Sequence, residues 1–153
     1  MGQAKRQLNK VKILAFDGPD KVGKSTIIRE VNQRTNYEYL CIDRFIGSAW
    51  VYDRLSGRRK REEMLAATER ELARLEAAVV INIILKCDRE TLVQRILREE
   101  EGAVNRIAVL DCVMELYDEY SRRKSILPVV EVDTTGKSVD ETVVEILQKV
   151  GEL

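Results

Sequence analysis

Residues Gly18 to Ser25 read G-P-D-K-V-G-K-S, directly behind the apolar run V-K-I-L-A-F of Val11 to Phe16. The eight residues fit the spacing G-x-x-x-x-G-K-[ST], and each fixed position has a mechanical reason. Gly18 and Gly23 let the main chain curl tightly. The backbone N–H groups between them, from Asp20-Lys21-Val22, then converge on one point as an anion nest. A helix opening near Lys24 adds the positive end of its dipole. Lys24 supplies a mobile charge for β- and γ-phosphates, and Ser25 a hydroxyl ligand for Mg²⁺. The match follows a strand and opens a helix, which is the context the pattern requires.

Outward from this loop the chain alternates strand and helix. The short apolar runs Val11–Phe16, Tyr37–Ile42, Val79–Leu85 and Pro128–Val132 read as strands. V-V-I-N-I-I-L at Val79–Leu85 is nearly continuous, as a strand covered on both faces should be. Helices are expected over Lys24–Arg34, Arg58–Ala77, Glu90–Glu99, Arg106–Arg123 and Val139–Val150, the last with Ser138 as N-cap. Leu65, Leu72 and Leu75 form the apolar stripe of the second. Leu92, Val93, Ile96 and Leu97 point inward from the third, and Leu110, Val113, Met114, Tyr117 and Tyr120 from the fourth. Phe45 to Gly57, with two glycines and two serines, reads as irregular. The expectation is a three-layer α/β domain of the P-loop NTPase type. About four parallel strands carry helices on both faces, with the phosphate site at their C-terminal ends.

Composition narrows the chemistry. The 153 residues favour one domain spanning the chain. Lys+Arg and Asp+Glu number 26 each, so no net charge draws the chain to nucleic acid or an anionic membrane. Histidine is absent, which removes Ser-His-Asp triads, Cys-His pairs and histidine metal sites. Cys41, Cys87 and Cys112 are scattered and odd in number, which reads as free thiols packed in a reducing compartment. No apolar run reaches the roughly 18 residues of a membrane span. The first ten residues are polar and basic, unlike a secretory signal. Gly2 is followed by Arg6 where myristoylation wants Ser or Thr. A cytoplasmic location is expected.

Asp43 ends an apolar strand beside the loop. It is the best carboxylate partner for Mg²⁺, or a base for a hydroxyl acceptor, with Asp17 a second choice of base. Asp88 follows Val79–Leu85, but Asp-Arg-Glu ahead of a helix reads better as an N-cap. Trp50 and Tyr52 stack on a base, or Trp50 serves the core or a dimer contact. The run Arg58-Arg59-Lys60-Arg61 is a track for nucleic-acid phosphates or, with Glu62-Glu63 behind it, a solvated helix start.

Four stretches resemble the thymidylate kinase group of nucleoside monophosphate kinases. They are F-D-G-P-D-K-V-G-K-S-T (Phe16–Thr26), D-R-F-I-G-S-A-W-V-Y (Asp43–Tyr52), L-K-C-D-R-E-T-L-V-Q-R-I-L-R (Leu85–Arg98) and V-D-T-T-G-K-S-V-D-E-T-V (Val132–Val143). The resemblance implies ATP and Mg²⁺ held by Gly18, Asp20, Lys21, Val22, Gly23, Lys24, Ser25 and Thr26. It implies that Asp20 accepts a hydrogen bond from the acceptor's sugar, that Arg44 clamps the acceptor phosphate, and that Phe45, Ser48, Tyr52 and Arg54 line the acceptor site. Arg95 and Arg98 would stand at a lid, and Thr134, Thr135 and Gly136 near adenine. Lys21 takes the place of an arginine, a point charge without the fork. The family's segment between the loop helix and the Asp-Arg strand is missing, so the sheet should lack one edge strand. The lid, Arg98-Glu99-Glu100-Glu101-Gly102, is acidic. A nucleoside monophosphate acceptor is implied, and a homodimer. A nucleoside or polynucleotide 5′-hydroxyl acceptor and a non-kinase ATPase switch stay open.

Overall fold

β1 (Val11–Asp17), β2 (Leu40–Asp43), β3 (Ala78–Lys86) and β4 (Val129–Asp133) pair in the order β2-β1-β3-β4, every pair parallel. This computed structural model describes residues 10–58, 61–99, 101–123 and 125–153. The first nine residues, and Arg59 and Lys60 of the basic run, lie outside the described residues.

The strand sequences explain the layering, because successive side chains point to opposite faces. Leu14 and Phe16 of β1, Ile81, Ile83 and Leu85 of β3, and Val130 and Val132 of β4 form one cluster. It packs against α1 (Lys24–Arg34) through Ile27 and Val31, and α6 (Val139–Gly151) through Val143, Ile146 and Val150. The intervening residues Ala15, Val80 and Ile84 face the other way. There they meet α2 (Ile46–Leu55), α3 (Glu62–Ala73) and α5 (Ala103–Arg122). Fully burying one such large apolar side chain contributes about 1.5–3 kcal/mol.

Two helix starts behave as their sequences require. Ser138 Oγ accepts from Glu141 N at 3.1 Å while the Glu141 carboxylate accepts from Ser138 N at 3.3 Å, a closed capping box on α6. Asp88 Oδ1 accepts from Thr91 N at 2.8 Å and caps α4 (Arg89–Leu97). Hydrogen bonding to Thr91 holds the Asp88 carboxyl below its ordinary range.

Other expectations are corrected. Phe45 to Gly57 is not irregular: Ile46 to Leu55 is helix. Strand β2 begins at Leu40 rather than Tyr37, whose left-handed backbone (φ 60°) leaves its ring exposed. Helix α3 starts at Glu62 and ends at Ala73, so Leu75 falls beyond it and is exposed. Leu97, in the last turn of α4, is also exposed rather than inward. Of the thiols, Cys112 is on the surface. Trp50 is a core residue, 4% exposed. Its ring lies 5.6 Å from Tyr120, with the Arg54 guanidinium 4.1 Å above it and that of Arg123 at 5.7 Å. No helix among the described residues is long and apolar enough to cross a membrane.

Candidate functional site: a phosphate cradle and an apolar-walled cavity

The main chain between β1 and α1 doubles back directly over the end of β3. A Cβ on Gly18 would stand 2.6 Å from the Leu85 carbonyl oxygen, so only glycine allows this approach. Gly23 forms the other end of the curl in a left-handed conformation (φ 98°) and opens α1 with no side-chain cap. The first-turn amides of α1 are therefore left for an external acceptor. Val22 turns its side chain down into the core, 2% exposed, and anchors the loop from below. Lys21 adopts φ 67°, an uncommon conformation for a residue with a Cβ.

These constraints shape a cavity of about 270 Å³ lined by Asp20, Lys21, Gly23, Lys24, Ser25, Thr26, Asp43 and Arg44. Lys24 Nζ donates to the carbonyls of Gly18 at 3.0 Å and Pro19 at 3.3 Å. Burial, helped by the nearby Arg44 charge, pulls the Lys24 ammonium down to about 8, and the carboxylates of Asp43, Asp17 and Asp20 only partly offset this. Ser25 Oγ stands 3.5 Å from Asp43 Oδ2, at the limit of a hydrogen bond. The parallel register of β1 and β2 pairs Phe16 with Asp43 and so brings the carboxylate to the hydroxyl. Two exposed oxygens so spaced are hard donors that fit Mg²⁺ with phosphate oxygens completing its shell.

A second cavity, of about 300 Å³, shares Asp20 and Arg44 with the first. Its walls are Tyr52 from α2, Ile96 from α4, and Arg106, Val109, Leu110 and Val113 from α5. Arg44 holds a left-handed backbone (φ 64°), and its guanidinium lies 5.6 Å from the Tyr52 ring. Between the cavities runs an ionic strap. Arg106 Nε donates to Asp20 Oδ2 at 2.8 Å and Arg106 Nη1 to Glu99 Oε2 at 2.9 Å, while Glu99 also pairs with Lys21. Arg95 Nη1 donates to the Lys21 carbonyl at 2.9 Å, bracing the loop from the side.

Several residues named from the sequence lie elsewhere. Phe45 packs its side chain into the hydrophobic clusters under α2. Ser48 is buried, with its hydroxyl turned to Asp17 and Tyr117. Arg54 is occupied by Glu62 at 2.5 Å and by the Trp50 ring. Asp17 is wholly buried, which removes it as a base for an incoming hydroxyl. Thr134 is buried and donates through Oγ1 to the Lys86 carbonyl at 2.8 Å. Thr135 Oγ1 accepts from Asp88 N at 2.9 Å, and Gly136 turns the chain (φ 68°) toward α6. Arg98 is exposed. Of the basic run, Arg61 lies 3.4 Å from Asp53.

Sequence reasoning missed Arg106 and the part played by Glu99. Arg106 meets Asp20 across 86 positions, and nothing local marks it. The acidic lid signalled Glu99 but not its partners.

No protein-family model matches the chain, and no curated protein matches it. Solved structures do. The YorR protein of Bacillus subtilis, solved in complex with phosphorylated GDP, superposes with a TM-score of 0.65 at 20% identity, over 91% of this chain and 95% of that one. Deoxyadenosine kinase from M. mycoides, solved with products dCMP and a flexible dCDP bound, gives a TM-score of 0.57 at 14% identity, over 92% of this chain and 100% of that one. The α/β fold, a four-stranded parallel sheet with helices on both faces, is shared with these structures.

Proposed function

We propose that the chain is an ATP- and Mg²⁺-dependent kinase that passes the γ-phosphoryl group to a nucleoside monophosphate of the thymidylate type. One observation carries this reading: the phosphate cradle and the apolar-walled cavity meet at Asp20 and Arg44, with cations on both sides of the junction. Two anionic substrates meeting there need positioning and charge neutralisation more than covalent help. The solved neighbours, one bound to phosphorylated GDP and one a deoxyadenosine kinase bound to dCMP and dCDP, support a nucleotide-handling site of this kind.

In this reading the main-chain amides of the cradle hold the triphosphate, and Lys24 leaves its two carbonyls to meet the β- and γ-oxygens. Mg²⁺, bound through Ser25 and Asp43, would neutralise charge on the same oxygens. Arg44 holds the acceptor phosphate in line. Tyr52, Val109 and Leu110 close on the acceptor base and exclude water. Asp20 serves the acceptor sugar once Arg106 releases it. Arg95 keeps Lys21 and the loop in register. Thr134, Thr135 and Gly136 close the adenine end.

A second reading is favoured by Asp43, an exposed carboxylate in the cradle cavity, poised to take the proton of a nucleoside hydroxyl. The deciding experiment mixes the protein and Mg-ATP with deoxynucleoside monophosphates, nucleosides and 5′-hydroxyl oligonucleotides, and follows ADP. Turnover confined to monophosphates supports the proposal, and turnover confined to nucleosides or oligonucleotides transfers it to the Asp43 reading. ADP formed equally with and without acceptors overturns both and leaves an ATPase switch.

A further inference from the structure

The geometry points to Asp17 as a positioning residue for Arg44, acting as an N-terminal cap that strand β1 supplies to helix α2. This rests on the proposed phosphoryl transfer for its kinetic consequence, but the joint itself is independent of it.

Helix α2 begins without a cap of its own: Phe45 occupies the N-cap position, and no side chain there can accept a hydrogen bond. Two amides at this end, those of Phe45 and Ser48, nonetheless find an acceptor on another element. Asp17 Oδ1 accepts from Phe45 N at 3.0 Å and from Ser48 N at 3.1 Å, and the Ser48 hydroxyl donates to the same oxygen. A carboxylate at a helix N-terminus also meets the positive end of the dipole. Asp17 is 0% exposed, and its Oδ2 has no hydrogen-bond partner among the described residues. That oxygen is pressed against α2 instead, since a Cβ on Gly47 would stand 2.7 Å from it. The helix start is thus gripped on one side by hydrogen bonds and on the other by close packing.

Arg44 lies between this grip and the strand. Its N–H donates to the Phe16 carbonyl at 2.9 Å, and its backbone is left-handed. Such a conformation persists only where the surroundings over-determine it. Here the two flanking anchors are Phe16 before and Phe45 after, both tied to the end of β1. The residue following Asp17 is Gly18, the first of the cradle. One carboxylate therefore sets the distance between the phosphate cradle and the guanidinium that faces both cavities. Ser48 extends the joint: its hydroxyl stands 2.9 Å from Tyr117 Oη on α5, the helix that carries Arg106.

The test uses Asp17→Asn in the full chain, which preserves shape and one acceptor oxygen but removes the charge. The acceptor is whichever of dAMP, dCMP, dGMP and dTMP the wild type turns over fastest. The expected result is a tenfold or greater rise in acceptor KM, with kcat at saturating acceptor within about threefold and the MgATP Kd by calorimetry within about twofold. Independently of activity, amide hydrogen exchange at Phe45 and Ser48 should quicken at least tenfold while Ile27 and Val31 keep their protection. An unchanged acceptor KM, or exchange at Phe45 and Ser48 equal to wild type, overturns the inference. So does a parallel loss of MgATP binding, which would make Asp17 a support of the cradle alone. If Asp17→Asn does not fold, Ser48→Ala replaces it with the same expectations in milder form, and an unchanged acceptor KM there is equally fatal. A wild type that transfers to none of the four sinks the monophosphate-acceptor reading, while the exchange measurement still decides the joint.

Discussion

The two cavities that meet at Asp20 and Arg44 are built on opposite terms. The cradle is lined mostly by one short stretch, Asp20 to Thr26, with Asp43 and Arg44 added at the end of β2. At Gly18, under the Leu85 carbonyl, it is the absence of a side chain that permits the curl. The second cavity draws on the loop, α2, α4 and α5, and its polar members are held by partners remote in sequence. Arg106 reaches Asp20 across 86 positions, and Asp17 reaches Phe45 and Ser48 across 28 and 31. A site made of backbone is preserved by a short motif. A site made of side chains from several elements survives only while those elements keep their packing.

That contrast can be broken by experiment, most severely at Lys24. Lys24→Ala is expected to lower the rate of transfer by the equivalent of about 3–5 kcal/mol in barrier, at least a hundredfold, while circular dichroism and melting show an intact fold. Retained activity would dissolve the cradle's side of the comparison. Arg44→Ala should raise acceptor KM roughly ten- to a hundredfold, the worth of a charged hydrogen bond of about 1.5–3 kcal/mol, and leave MgATP affinity nearly unchanged. Equal losses for both substrates would erase the division between the cavities.

The next effect is one of pH. Lys24 is depressed to about 8, so in the nucleotide-free protein it loses its proton as pH passes 8, whereas an unfolded lysine keeps its proton to about 10.5. Burial of the ammonium therefore opposes folding below pH 8, and that cost is relieved as pH rises from 8 toward 10.5. Under the proposed function MgATP binding would run the other way, because it would use the ammonium. Calorimetry should show affinity weakening by up to about tenfold per pH unit above 8, with proton uptake on binding near and above pH 8. A flat profile from pH 7 to 9.5 would show that the main chain alone holds the triphosphate. The smallest effect belongs to the strap. Glu99→Gln frees Lys21 and Arg106 from a half-exposed pairing worth about 0.2–1 kcal/mol, and should tighten MgATP by no more than about fivefold. Weaker binding instead would mean that Glu99 holds the lid in its working position.

The cradle, the four parallel strands and the caps at Asp88 and Ser138 were legible because each is a local pattern. A short apolar run, a glycine spacing and an Asx or Ser cap all lie within a few residues of their effect. Helix α2 was not legible. Its glycine and serine suggested a loop, and Phe45 offers no cap; the cap comes from Asp17, on another element. Ser48, Phe45 and Arg54 were named for the acceptor site on the strength of position alone. Burial among Tyr117, Trp50 and Glu62 gives each a different partner.

By itself the sequence determined where the backbone would curl between β1 and α1 and which strands would lie parallel beneath it. Glycine freedom, hydrophobic period and helix capping act over single turns, so they are written in neighbouring residues. Only the tertiary structure decided which side chains face Arg44 and Asp20. Side-chain partners in a packed interior are chosen by the register of strands and the docking of helices, and those fall tens of residues apart.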